Sequence, residues 1–319
     1  MAKKPEIIAI AERFEPKLRE ALLEAFGAMR DRVPEAEILG ALERGGAEGV
    51  MGLLSGIEGD LGIFRDHLRD ALVESGRMTL SVMPSGAVLN SGFKFDLINP
   101  ATIDFTRQYE LNTIRLISEN TREAVRTSLT RDIISGKNPR DTARAFRSSL
   151  GLTPRQEQAV ANYRSALEGL DSRALRRKLR DARYDRTVRR AIDSKSRLSA
   201  EQIDRLVGRY RERYLKYRSE TIARTESLRA ATVGQKSAID QMLSSNALEG
   251  SKVVRFWVST RDKRTRDAHR RISGLNPEGV PLDGYYQTPL GPLKFPRDPN
   301  GTAANVVDCR CTERYRLID

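Results

Sequence analysis

Residues 200–244, AEQIDRLVGRYRERYLKYRSETIARTESLRAATVGQKSAIDQMLS, set Ile203, Leu206, Tyr210, Tyr214, Ile222 and Leu228 along one helical face. This stretch predicts a long helix and a chain that is mainly α. The same period governs what precedes it. Ile103, Ile114, Ile117, Val125, Leu129 and Ile133 lie roughly along one side of a helix that Gly136 and Pro139 stop. Asn138-Pro139-Arg140-Asp141 restarts a helix. Thr153-Pro154-Arg155-Gln156 starts another, because Thr caps and Pro suits a first turn.

The N-terminal region reads as helices between glycine-rich breaks. Ile7, Ile10, Phe14, Leu18 and Leu22 draw one apolar stripe. Residues 45–62, GGAEGVMGLLSGIEGDLG, predict a hinge or a helix packed closely on another. The pattern breaks over 78–100, MTLSVMPSGAVLNSGFKFDLINP, which puts a boundary near residue 92. After Gly250 the period falls to two. In KVVRFWVST, Val254, Phe256 and Val258 point one way and Val253, Arg255 and Trp257 the other. YYQTPLGPLKFP (285–296) predicts two short extended pieces about a turn, and NVVDCRCTERYRL (305–317) a last strand with Val307, Cys309 and Cys311 on one side. The expected organisation is elongated and multi-domain: helical residues 1–92, an elongated helical domain 93–245, and a small α+β domain 246–319.

Composition narrows the function classes. The chain has 319 residues, 39% of them apolar, which is too hydrophobic for wholesale disorder. No apolar run approaches the roughly 18 residues that cross a bilayer, so no membrane-spanning segment is expected. Charges interrupt the opening MAKKPEIIAIAERFEPK within a few residues, which argues against a secretory signal. Two cysteines, two positions apart, give no disulfide framework and suggest a reducing compartment. The net charge is +13, and residues 171–218 hold 17 basic against 7 acidic side chains. Arg173, Arg176, Arg177, Lys178, Arg180 and Arg183 are thus candidate contacts to DNA or an acidic partner. The plainer alternative pairs the arginines with Asp181, Asp185 and Asp193. No sequence-reading motif accompanies the charge.

FDLINPATIDF (95–105), ENTREAVRTSL (119–129), GLTPRQEQAVANYRSAL (151–167) and YRSETIARTESLRAATVGQ (217–235) are followed by an ordered set. That set is Trp257, Asp262, Arg266, His269, Gly274, Pro296, Asn305, Cys309, Arg310 and Cys311. In this order the chain, over about 93–315, resembles the phage head morphogenesis family, the Mu F-like minor head proteins. One departure is Asp308, where the family shows Asn. Residues 1–92 carry no resemblance. The resemblance implies a structural minor head protein of a tailed phage or prophage, located in the virion inside the head near the portal and in the host cytoplasm during assembly. It would act in head assembly, DNA packaging or delivery. Its implied partners are the portal protein, the major capsid protein and packaged DNA bound without sequence preference. An alternative is a DNA-binding protein ejected with the genome, and a third is an enzyme on the C-terminal domain.

Chemistry in the C-terminal region has few candidates. His269, Cys309 and Cys311 are three zinc-type ligands, with Asp262, Asp267, Asp298 or a water as the fourth. The favoured expectation is no cofactor, with the cysteines continuing an apolar stripe and His269 bonding locally. Asp262 and Arg266 are expected to tie the 260–267 loop to the strands rather than to orient a phosphate. Arg224 is expected to pair internally with Glu226. A Cys–His nucleophile would need exposed thiols. A two-histidine nuclease has only the distant His67, and the Glu-x-Glu of an ADP-ribosyltransferase occurs only at Glu35 and Glu37. The expectation is therefore a protein that is not an enzyme.

Overall fold

A computed structural model of the chain describes residues 6–82, 95–96, 100–244 and 252–318. The sequence boundaries near 92 and at 245/246 fall outside the described residues. The fold is mainly α with a small C-terminal α+β part. In chain order the helices are α1 (Glu6–Asp31), α2 (Glu35–Gly52), α3 (Gly62–Val82), α4 (Pro100–Ile134), α5 (Pro139–Ser149), α6 (Pro154–Glu168), α7 (Asp185–Asp193) and α8 (Ala200–Ser244). Then come β1 (Lys252–Val258), α9 (Asp267–Leu275), β2 (Val280–Pro281), α10 (Ala303–Val306) and β3 (Thr312–Ile318). No described helix is long and apolar enough to cross a membrane.

Local chemistry sets the helix starts that the sequence marks. Asn138 accepts the Arg140 N–H at 2.9 Å ahead of α5. Thr153 and Gln156 form a reciprocal capping box on α6. The glycine-rich 45–62 stretch holds a kink at Gly46 inside α2 and a 3-10 turn over Ile57–Leu61. On α4, Ile114, Ile117, Val125 and Leu129 are buried as the stripe predicts. Ile103 and Ile133 are instead exposed; Ile133 has rotated about 80° round the helix from Val125, whereas the exposure of Ile103 does not follow from the period.

The chain divides into two compact units built from discontinuous segments. One comprises Ala21–Gly62 and Leu111–Ser219, the other Met1–Glu20, Ile63–Glu110 and Glu220–Asp319. Within the first, the buried Phe26 and Leu215 close on Gly151, whose φ of 82° and close approach to Phe26 leave no room for a side chain. Arg218 is buried there and donates to the carbonyls of Gly151 and Ile117. Burial brings its guanidinium down to about 10.

In the second unit, α3 and α8 meet through small residues. Ser75 donates to the Ala231 carbonyl at 2.6 Å, and a Cβ at Gly234 would collide with the Leu72 carbonyl. The three-stranded sheet has the order β2-β1-β3, antiparallel throughout, with Arg255 opposite Tyr315 and Trp257 opposite Glu313. Val253, Arg255 and Trp257 form its buried face. Tyr286 and Leu293 pair about a turn at Gly291, as the 285–296 stretch predicts. The last strand is shorter than expected: β3 begins only at Thr312. Residues Ala303–Val306 are a helical turn, and Asp308 adopts a left-handed conformation (φ 55°) that no strand contains.

Candidate metal centre

His269 sits in the first turn of α9, and its ring is buried against Trp257 in an edge-to-face contact at 5.6 Å. Its Nε2 lies 2.9 Å from Asn305 Oδ1. The Asn305 amide nitrogen donates to Thr288 Oγ1 at 3.1 Å and to the Gly291 carbonyl, so the Asn305 oxygen must be the group facing the ring. His269 therefore carries its proton on Nε2. The Nδ1 lone pair is left pointing at Cys309 and Cys311, each sulfur 3.5 Å away.

The two sulfurs lie on one side of the segment that follows the left-handed turn at Asp308. In a regular strand residues 309 and 311 would project in parallel; here they close on a common point. The three ligand atoms all lie within 4.8 Å of one another, and all three residues are buried. The surroundings are apolar: Trp257, Ile272, Val280, Tyr286, Leu293 and Val306 pack with the cysteines in one core. The expected apolar packing of the cysteines is thus present together with a ligand cluster. The Cys309 thiol is pulled well below its usual range, first by the hydrogen bond from Cys311, with the Arg297 charge adding to it. Cys311 is pushed up by that same bond and by burial.

A zinc ion tests well against this donor set. Zn–S of about 2.3 Å and Zn–N of about 2.0 Å at the tetrahedral angle give an N···S edge of about 3.5 Å. Both sulfurs show that separation from Nδ1. One imidazole lone pair cannot accept fully from two thiols, whereas one cation satisfies all three donors. The Asn305 bond to the far nitrogen is the outer support that metal-bound histidines use. None of the three carboxylates expected as a fourth ligand joins. Asp262 binds Arg310 at 2.6 Å, Asp298 accepts the backbone N–H groups of Lys294 and Asn300, and Asp267 is exposed.

A second set of residues fixes the cysteine loop to α8. Arg297 is fully buried in a left-handed conformation (φ 69°). One terminal nitrogen donates to the carbonyls of Cys309 (3.1 Å) and Cys311 (2.5 Å), the other to the Leu228 carbonyl and Thr232 Oγ1 (2.5 Å). Arg229 donates to the Arg297 carbonyl at 2.7 Å and to Glu226 at 2.5 Å, and Tyr109 donates to the other Glu226 oxygen. Thr225 accepts the Asp308 N–H. The expected Arg224–Glu226 pair is therefore replaced. Arg224 binds Glu15 and Asp308, while Glu226 binds Arg229. Residues two apart on a helix point to different sides, and those three apart share one.

The remaining expectations sort by geometry. Asp262 accepts from Arg310, Arg264 N and Thr265, which holds its carboxyl far below the usual range; Arg266 donates to the Val307 carbonyl. The loop is tied to Val307 and Arg310 in the segment before β3 rather than to the strands themselves. In the basic segment, Arg173 pairs with Asp171, Arg180 with Asp185 through two hydrogen bonds, and Arg183 with Asp181. All three have a carboxylate partner within the chain, but only Arg180 is mostly covered, while Arg173 and Arg183 stay largely exposed. Arg176 and Lys178 are exposed and Arg177 is half-buried.

Sequence reading missed Arg297, Arg229 and the buried pair Arg255–Glu313. Arg255 donates to Glu313 at 2.9 Å and to the carbonyls of Pro281, Gly284 and Lys294; Tyr286 and Tyr315 also donate to Glu313. A signal existed for Arg255, an arginine alternating with Val253 and Trp257 on an apolar face. No family model, curated protein or solved structure matches the chain.

Proposed function

We propose that this protein is a structural minor head protein of a tailed phage or prophage. It works at the portal inside the capsid during assembly and DNA packaging or delivery, and a zinc ion on His269, Cys309 and Cys311 secures its C-terminal part. The observation that carries the reading is convergence. Residues of the resemblance from position 224 to 311, distant in sequence, supply the cysteine cluster, the Asn305 support and the α8 surface beneath them. When bound, zinc supplies a crosslink between α9 and the loop before β3. The chain's own residues hold that crosslink in an apolar core and admit no substrate: Cys309 and Cys311 are 1% and 2% exposed. That burial supports a structural rather than a catalytic role.

The head reading is tested on particles of the phage or prophage that encodes the chain. Quantitative mass spectrometry of purified heads should find it at a fixed low ratio to the portal protein, retained after the major tail proteins are removed. Its absence from the particles would refute the reading.

A second reading, a DNA-binding protein ejected with the genome, draws on one specific observation. Arg176 and Lys178, with Arg186, Arg189 and Arg190 on α7, are exposed cations with no carboxylate partner among the described residues. Neutralising them should flatten the salt dependence of duplex binding by about 0.9 log unit per lost phosphate contact. Loss of the protein from particles that have released their DNA would favour this reading over retention at the portal.

A further inference from the structure

Arg297 is an anomaly. A fully buried guanidinium ordinarily faces a carboxylate, because an uncompensated buried charge is costly. Among the described residues Arg297 pairs with none, and its Nε has no partner. It stands in a left-handed backbone conformation that arginine seldom adopts. A side chain kept under those conditions is held by what it joins. It joins two things: the carbonyls of both cysteines, and the Leu228–Thr232 turn of α8.

We infer that Arg297 is the positioning residue of the metal centre and couples metal occupancy to the seating of the cysteine loop on α8. The inference rests on the zinc reading above. Two carbonyls held by one terminal nitrogen fix the peptide planes that follow Cys309 and Cys311. With those planes fixed, the Cβ–Sγ bonds of Cys309 and Cys311 converge on His269 Nδ1. The second terminal nitrogen refers that arrangement to α8, and the bond from Arg229 to the Arg297 carbonyl fixes the clamp at its own backbone. Thr232 thus acts on the metal from a helix that contributes no ligand. Coupling of this kind is reciprocal: what α8 adds to metal binding, metal returns to loop seating.

The test measures zinc affinity of the full-length protein by competition with a chromophoric chelator. Four proteins are compared with wild type: Thr232→Val, Arg297→Lys, the double variant, and Cys309→Ser. Thr232→Val keeps the side-chain shape and removes the acceptor, together with the hydroxyl's own bond to the Leu228 carbonyl within α8. It should weaken zinc binding several-fold, and Arg297→Lys about 10–100-fold, as loss of outer support does. The double variant should be no weaker than Arg297→Lys, because both changes cut the same connection. An unchanged affinity in Thr232→Val, with Cys309→Ser abolishing binding, would overturn the coupling and leave the zinc reading intact. So would multiplicative losses in the double variant. No zinc binding by wild type would instead refute the zinc reading, and the coupling with it.

Discussion

Asn305 accepts the Nε2–H of His269 at 2.9 Å and thereby decides which ring nitrogen faces the two cysteines. Its amide is held in turn by Thr288 and Gly291, so the choice of tautomer is fixed by the 285–296 turn. Asn305→Leu frees the ring to rotate and to carry its proton on either nitrogen. Zinc affinity should fall about 10–100-fold, read by chelator competition. Asn305→Asp, which still accepts from Nε2, should lose less.

The buried ion pair makes a separate prediction about stability. Glu313→Ala leaves Arg255 charged inside the sheet with only carbonyl partners, and should cost about 3–5 kcal/mol. Arg255→Met combined with Glu313→Leu removes both charges and should cost much less than the sum of the single changes. Chemical denaturation of Glu313→Ala, Arg255→Met, Glu313→Leu and the double variant measures this. Equal losses in the single and double variants would show that packing, not charge, sets the effect.

Truncation after Asn305 removes β3 and both cysteines, with the two cysteine carbonyls that accept from Arg297. Trp257 and Tyr286 then lose their cover, at roughly 1.5–3 kcal/mol for each large side chain, against a net stability of about 5–15 kcal/mol. Residues 252–304 should lose amide protection and Trp257 fluorescence should shift to the red. Far-UV circular dichroism should retain most of its helical signal.

Acid should weaken the unit that contains the basic segment. The hydrogen bond from Arg183 lowers the Asp181 carboxyl to about 2, with Arg213 adding to the effect. An acid whose folded value lies below its unfolded value of about 3.9 stabilises the fold above that pH and loses the contribution as pH falls toward 2. Wild-type melting temperature should drop between about pH 4 and pH 2, and Asp181→Asn should show a shallower drop there, starting from a lower value at neutral pH. Identical slopes would mean that Asp181 makes no such contribution.

Local features were legible in the sequence and distant ones were not. The caps at Asn138 and Thr153 are complete within four residues, so spacing alone identified them. The period-2 run in β1 was equally plain, since its alternation needs no partner to be recognised. Cys309 and Cys311 were read on a strand because the left-handed turn at Asp308 has no marker beyond an Asp where Asn or Asp is tolerated. His269 was named as a ligand but not its tautomer, which depends on a turn 14 to 17 residues from Asn305. Arg297, in a proline-flanked loop, gave no sign of burial, because its acceptors come from two segments that only the fold brings together. The two compact units were hidden for the same reason: each is assembled from separated segments.

The direct test of the metal centre is elemental analysis of the full-length protein, purified without chelator or added metal. The zinc reading predicts one zinc per chain, lost in Cys309→Ser and in His269→Ala. The zinc reading also predicts that cobalt(II) substitution gives the intense thiolate-to-metal absorption of a two-cysteine site. Zinc far below one equivalent, with no such absorption on cobalt titration of the reduced protein, would contradict it.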